Sequence, residues 1–217
     1  MLEYKGVKIH WLGHSGFKII GAGKVVYIDP YQITPREAAD IIIITHDHFD
    51  HCSPDDIQGI IKSTTVIVTT SKCKHKLSGI NARFVEIVPN QAFKVDNVKV
   101  EAIPAYNTNK FRSPGVPYHP KQEGNIGVVI TIGGVRIYHA GDSDFTLEMK
   151  STRADIALLP VSGTYVMTPE EAAEAANAIK PDLAIPMHYG AGVAGTERDA
   201  RNFEKMAKCK VKILTKD

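Results

Sequence analysis

The chain has 217 residues, 43% hydrophobic and 23% charged, with a formal net charge of +2. That length suits one domain with a sizeable core, and the balance is that of an ordinary soluble globular protein. A charge so near zero gives no electrostatic reason to expect a nucleic-acid or acidic-membrane partner. The N-terminus, MLEYKGVKIHWLGHSG, lacks the apolar core of a signal peptide, and no run approaches the ~20 apolar residues of a membrane span. Cys52, Cys73 and Cys209 are odd in number and without C-x-x-C spacing, which argues against a disulfide framework or a thiolate zinc site. A cytoplasmic protein with reduced thiols is expected, and a homo-oligomer is left open.

The first half reads as short strands: 7–13, 17–21, 24–29 and 40–45, separated by Gly, Pro and polar residues. A helix is expected over 53–62, with Ser53 to cap it, Pro54 at its first position and Asp55 and Asp56 at its positive end. Strands follow at 65–70, 83–88, 92–97 and 98–105. Residues 106–125 form the one long stretch without periodicity, rich in Pro, Gly and Asn, and loops of that length are usually functional or disordered. Strands 126–132 and 135–141 are joined by Gly133-Gly134, a good hairpin turn. A continuous apolar strand at 155–161, a helix over 168–181 between Thr168 and Pro181, a strand at 183–190, a helix over 196–209 and a strand at 211–215 complete the chain. Many antiparallel-type strands followed by strand–helix alternation predict a mixed α/β fold in one domain, 1–217, with two sheets and helices outside.

The chemistry concentrates in THDHFDH (45–51), directly behind the apolar run ADIIII. Imidazole and carboxylate together suit Zn²⁺ better than Ca²⁺ or Mg²⁺, with Mn, Fe or Ni as alternatives. In an extended loop His46, His48 and Asp50 alternate to one side while His51 turns to a neighbouring position. So many adjacent ligands crowd a single ion, so two ions are expected; the bland alternative is a solvated, capped loop before a helix. Further ligands must come from other strand ends. Asp142 in HAGDSD could bridge two ions through its two oxygens, or simply cap a turn. His188 in IPMHYG is a ligand candidate or an ordinary loop histidine.

H-x-H-x-D-H, then G-D after a strand, then a late His, in that order, resembles the metallo-β-lactamase superfamily. Within it, WLGHSGF (11–17), YHAGDSDF (138–145) and PMHYG (186–190) are similar to the Zn-dependent hydrolase branch that contains an ascorbate-6-phosphate lactonase and an N-acylphosphatidylethanolamine-hydrolysing phospholipase D. The resemblance spans nearly the whole chain. It implies a four-layer αβ/βα sandwich with the site along one edge between the sheets. It also implies that His46 and His48 hold one metal, that Asp50, His51 and His188 hold the other, and that Asp142 bridges them. Such relatives carry a third histidine for the first metal after a strand ending Pro-Ala; here Tyr106 and Asn107 stand in that place. His119, in PYHPKQEG, is the first candidate to fill the gap, and His14 is expected to line the site. His139 is read as an interior or supporting residue, and His10 and His75 as unrelated to the site.

Two ions ~3.5–4 Å apart would generate a bridging hydroxide and polarise a carbonyl or phosphoryl oxygen, with Asp50 orienting the hydroxide. Asp29, Thr45 and Asp47 are local acceptors for the ring N–H groups that face away from metal. The expected activity is hydrolysis of an ester, lactone or phosphodiester in a small substrate. Lys110, Arg112 and Lys121 could meet an anionic part of it, or be ordinary solvated charges. Two other classes stay open: a di-iron oxidoreductase of the same fold, which typically has Glu where this chain has His48, and a non-catalytic metal-binding domain.

Overall fold

In the computed structural model, residues 1–34 and 37–217 are described. Two seven-stranded sheets face each other, and each is built the same way. The first begins as an antiparallel meander, β1 (Leu2–Tyr4), β2 (Val7–Gly13), β3 (Gly16–Gly21) and β4 (Lys24–Ile28). It continues in parallel through β5 (Ile41–Ile44), β6 (Val66–Thr69) and β7 (Arg83–Glu86). The second sheet opens with β8 (Ala92–Val95), β9 (Val98–Pro104), β12 (Ile126–Ile132) and β13 (Val135–His139), all antiparallel. It ends with β14 (Ile156–Pro160), β15 (Leu183–Met187) and β16 (Lys210–Val211) in parallel. Between β9 and β12 lies a separate hairpin, β10 (Phe111–Ser113) and β11 (Val116–Pro117).

The period-2 alternation of a strand explains how four consecutive isoleucines in β5 serve two cores. Ile41 and Ile43 join the large cluster between the sheets, with Phe17, Ile28, Val128 and Ile137. Ile42 and Ile44 point the other way, into a smaller cluster with Ile57 of helix α1 (Pro54–Gln58) and Cys73 of helix α2 (Ser71–Lys76). On the second sheet, helix α4 (Pro169–Ile179) buries an alanine face, Ala172, Ala173, Ala175 and Ala176, and packs against β14 and helix α5 (Glu197–Met206). Its start is fixed by a reciprocal capping box between Thr168 and Glu171. Helices thus lie outside both sheets, giving the αβ/βα sandwich.

Several boundaries differ from the sequence reading. The helix expected over 53–62 ends at Gln58, and Ile60 is buried by the following turn instead. Strand 211–215 shrinks to Lys210–Val211. Helix α3 (Leu147–Ser151) was not anticipated: five residues carry no readable period, and Thr146, whose side chain accepts from the Met149 N–H, alone marks its start. The segment 106–125 is not structureless. It holds the β10–β11 hairpin and a 3₁₀ turn at Lys121–Glu123. That internal hairpin brings Asn107 and His119 together, with the Asn107 N–H donating to the His119 carbonyl at 2.9 Å.

Candidate metal centre

Strand ends from both sheets deliver the polar residues to one edge. β5 leads into His46–His51, β13 into Asp142, β15 into His188, and the β2–β3 connection carries His14. Gly141 makes the Asp142 turn possible: its φ is +62°, and a Cβ there would stand 2.6 Å from the Ile126 carbonyl oxygen. His14 and His188, also at positive φ (52° and 63°), sit in conformations that non-glycine residues seldom adopt. They are tied together, the His188 N–H donating to the His14 carbonyl at 2.8 Å.

Two groups of donors result, His46, His48, His119 and Asp142 in one, His14, Asp50, His51 and His188 in the other, each with ligand atoms within 4.8 Å of one another. The Asp142 carboxylate lies between them. Its Oδ2 is 3.8 Å from His46 Nε2, 3.5 Å from His119 Nε2 and 3.2 Å from His188 Nε2, and its Oδ1 is 3.2 Å from His51 Nε2. Of the residues singled out in the sequence, all seven metal candidates and His14 are brought into this one cluster. His75 is on α2, and His10 pairs with Asp217 at 2.7 Å, away from it.

Hydrogen bonds around the cluster fix which ring nitrogen carries the proton. The Thr45 hydroxyl donates to Asp29 Oδ2 at 2.6 Å, so it accepts from His46 Nδ1 at 3.0 Å. The Ser162 hydroxyl donates to the Thr164 carbonyl at 3.1 Å and therefore accepts from His188 Nδ1 at 2.9 Å. His51 Nδ1 donates to Asp29 Oδ2 at 2.7 Å. Asn107 Oδ1 accepts the His119 backbone N–H at 2.8 Å, which identifies that atom as oxygen, and so His119 Nδ1, 2.9 Å away, must donate to it. All four imidazoles thereby donate through Nδ1 and aim Nε2 into one space, while His48 presents Nδ1, 3.2 Å from His119 Nε2. Asp29 and Thr45 act as the acceptors expected from sequence; Asp47 does not, its carbonyl accepting instead from Lys76 Nζ at 2.8 Å. Asn107 and Ser162 were missed, because a lone Asn or Ser in a loop carries no periodicity or motif.

Among the described residues His46 Nε2 is buried without a hydrogen-bond partner, and His51 Nε2 and Asp142 Oδ1, 3.2 Å apart, have only each other. An unsatisfied buried polar atom costs ~1–3 kcal/mol, so such a concentration calls for a cation. The donors, neutral imidazole and carboxylate, are those of a borderline divalent metal, and they fit one. Burial pushes His119 down to about 4 and His46 well below the usual imidazole range, so both offer lone pairs at neutral pH. Burial works to raise Asp50, but the hydrogen bond from His14 Nε2 at 2.8 Å and the charges of His51 and His14 together outweigh it and hold the carboxyl at about 2. His139, buried beside the cluster, accepts from the Gly141 N–H at Nδ1 and donates to the Ser15 carbonyl at 2.9 Å, linking the His14 and Asp142 turns.

Residues 8–188 match the family model of the β-lactamase superfamily domain. The chain belongs to the metallo-β-lactamase superfamily. It is 35% identical over 199 residues to a UPF0173 metal-dependent hydrolase of Thermoplasma acidophilum, covering 85% of this chain and 84% of the relative. A second such hydrolase, from Archaeoglobus fulgidus, is 32% identical over 94% of this chain and 92% of its own. A crystal structure from Parabacteroides distasonis, classed as a metal-dependent hydrolase, superposes with a TM-score of 0.83 at 31% identity, covering 95% and 92% of the two chains. This chain is therefore a metal-dependent hydrolase, an enzyme, and no described helix is long and apolar enough to cross a membrane.

A cavity of about 590 Å³ opens over the hydrolase's cluster, with His48, Asp50, His119 and Asp142 in its floor. The cations expected near an anionic substrate are engaged elsewhere. Lys110 Nζ is 2.7 Å from Glu171 and 3.5 Å from Asp144, and Lys121 Nζ is 2.8 Å from Glu148. Arg112 Nη2 donates to the Tyr118 carbonyl at 3.0 Å. None of the three lines the cavity.

Proposed function

We propose that the hydrolase works with two divalent ions, zinc by its donor set, and cleaves an ester, lactone or phosphodiester bond in a small substrate. The observation that carries this reading is the Asp142 carboxylate standing between two donor groups whose Nε2 atoms converge on it. His46 through Nε2, His48 through Nδ1 and His119 through Nε2 would hold one ion with Asp142. Asp50, His51 and His188 would hold the other, also with Asp142. Bound there, such ions supply an activated water at neutral pH and polarise the oxygen of the scissile bond. Asp50, on the cavity floor and anionic, is the group that would accept a hydrogen bond from that water and orient it. His14, hydrogen-bonded to Asp50, fixes the carboxylate's orientation. Thr45, Asp29, Ser162 and Asn107 hold the imidazoles so that no reorganisation is needed when substrate arrives.

Asp142→Ala tests the shared carboxylate. Several kcal/mol of transition-state stabilisation should be lost, a fall of roughly 10²–10³-fold in kcat/KM, with the far-ultraviolet circular dichroism unchanged. Unfolding of that variant with metal still stoichiometrically bound would make Asp142 structural.

Metal uptake should release protons. Burial disfavours the charged form of His51, but Asp142 and Asp29 outweigh it and hold the ring well above the usual imidazole range. Coordination through Nε2 requires the ring neutral, so a proton that those carboxylates favour on it must leave when metal binds. Affinity should fall as pH drops, because protons then compete with metal for the ring nitrogens. Calorimetric titrations in buffers of differing ionisation enthalpy should read net proton release on metal binding near pH 7. No proton release would contradict the assignment of His51 as a ligand.

A further inference from the structure

The walls of the cavity say more about the substrate than its floor does. Two aromatic pairs line it. Tyr118 and Tyr165 meet edge to face with ring centroids 4.7 Å apart, and Tyr31 and Phe49 do so at 5.8 Å. Gln32, Ala191, Gly192 and Val193 complete the wall, and no described lysine or arginine contributes to it. Phe49 stands between two floor residues of the ligand loop, His48 and Asp50, yet is 61% exposed. A bulky apolar side chain held there is costly to leave facing water unless something covers it.

Tyr165 adds a second, independent sign. Its φ is +69°, a conformation that a bulky residue adopts only when its surroundings hold it there. The clamp is Asn107, whose Nδ2 donates to the Tyr165 carbonyl at 2.8 Å while its Oδ1 holds His119. One buried side chain thus sets both a floor imidazole and a wall ring, fixing the wall relative to the reacting centre. Lys110 and Lys121 cannot serve a remote anion without first breaking their own ion pairs, and Arg112 does not line the cavity. Charge on the far end of a substrate would therefore be desolvated without compensation, whereas a flat apolar group would find ring faces and edges.

We propose that the hydrolase selects an uncharged substrate carrying an aromatic or similarly flat apolar group, seated on the Tyr118–Tyr165 and Tyr31–Phe49 walls beside the scissile bond. This rests on the hydrolytic reading for the word substrate, but the recognition surface is independent of it. It places aryl or arylalkyl esters and lactones ahead of sugar phosphates and nucleotides, whose polar and charged remote parts the walls do not match.

The experiment is a binding measurement on the purified full-length protein with 2-naphthol and with 6-hydroxynaphthalene-2-sulfonate, alongside metal-dependent turnover of 2-naphthyl acetate. 2-Naphthol should bind, and at least about tenfold more tightly than the sulfonate. Tyr118→Ala and Tyr165→Ala should each weaken it roughly tenfold, while Tyr118→Phe and Tyr165→Phe, which keep the rings, should not. The proposal is overturned if 2-naphthol fails to bind, if the sulfonate binds as tightly, or if loss of the Tyr118 ring changes nothing. Intact, ring-dependent naphthol binding with no metal-dependent turnover supports the wall assignment and strikes only the hydrolytic reading.

Discussion

Stripping divalent metal from the purified protein should lower its melting temperature by roughly 8–16 °C. The size follows from linkage: a ligand present at a thousand times its Kd stabilises the native state by about 4 kcal/mol, and each kcal/mol moves a chain of this size by about 2–4 °C. The direction follows from the site. His46 Nε2 is buried without a hydrogen-bond partner among the described residues, His51 Nε2 and Asp142 Oδ1 have only each other, and Asp50 and Asp142 are two buried carboxylates among six imidazoles. Only a cation satisfies all of them together. Elemental analysis of the unstripped protein should accordingly find one to two equivalents of Zn, Mn, Fe or Ni. Trace metal only, even after reconstitution, with a melting curve indifferent to chelator, would refute the metal centre.

The seven residues expected to hold metal, and His14, could be read from sequence because their chemistry is concentrated at strand ends. THDHFDH announces itself by composition, and the apolar runs before it, before HAGD and before PMHYG put all three at one edge of a layered sheet structure. The pairing order within each sheet, four antiparallel strands and then three parallel ones, was legible only as a tendency. Elements held by tertiary contact rather than periodicity were not legible. Helix α3 is too short to show a period, and its Leu147 is 80% exposed. The hairpin inside 106–125 is set by Gly115 at φ +76° and by its return to Asn107, neither of which leaves a strand pattern. Tyr106 and Asn107 were read as a gap in the ligand set. Asn107 proves to be the residue that holds the His119 ring, and Tyr106 lies aside, donating to Glu148 at 2.9 Å. The imidazole missing at that place has a counterpart in His119, twelve residues beyond Asn107, whose ring joins the His46–His48–Asp142 group while Asn107 holds it.

His119→Ala should lower metal content toward one equivalent per chain and cut turnover strongly, whereas His75→Ala, on the surface helix α2, should alter neither. The sharper test is Asn107. Its Oδ1 accepts from the His119 N–H and Nδ1, and its Nδ2 donates to Asp144 Oδ1 at 3.1 Å and to the Tyr165 carbonyl. All of its polar capacity is spent on holding this corner. Asn107→Ala leaves the His119 Nδ1–H without an acceptor and the ring free to turn, so that Nε2 no longer faces the cluster by default. Loss of such an outer partner typically costs about 10–100-fold in metal affinity or activity. Asn107→Asp separates the two duties of the side chain. It keeps an oxygen for His119, so metal should still bind at the first group. It loses both Nδ2 bonds and sets a second carboxylate against Asp144, so thermal stability should fall below that of the parent. If Asn107→Ala and His119→Ala both retain full metal content and turnover, His119 is not a ligand. His14, already within reach of Asp50, would then be the histidine to examine next.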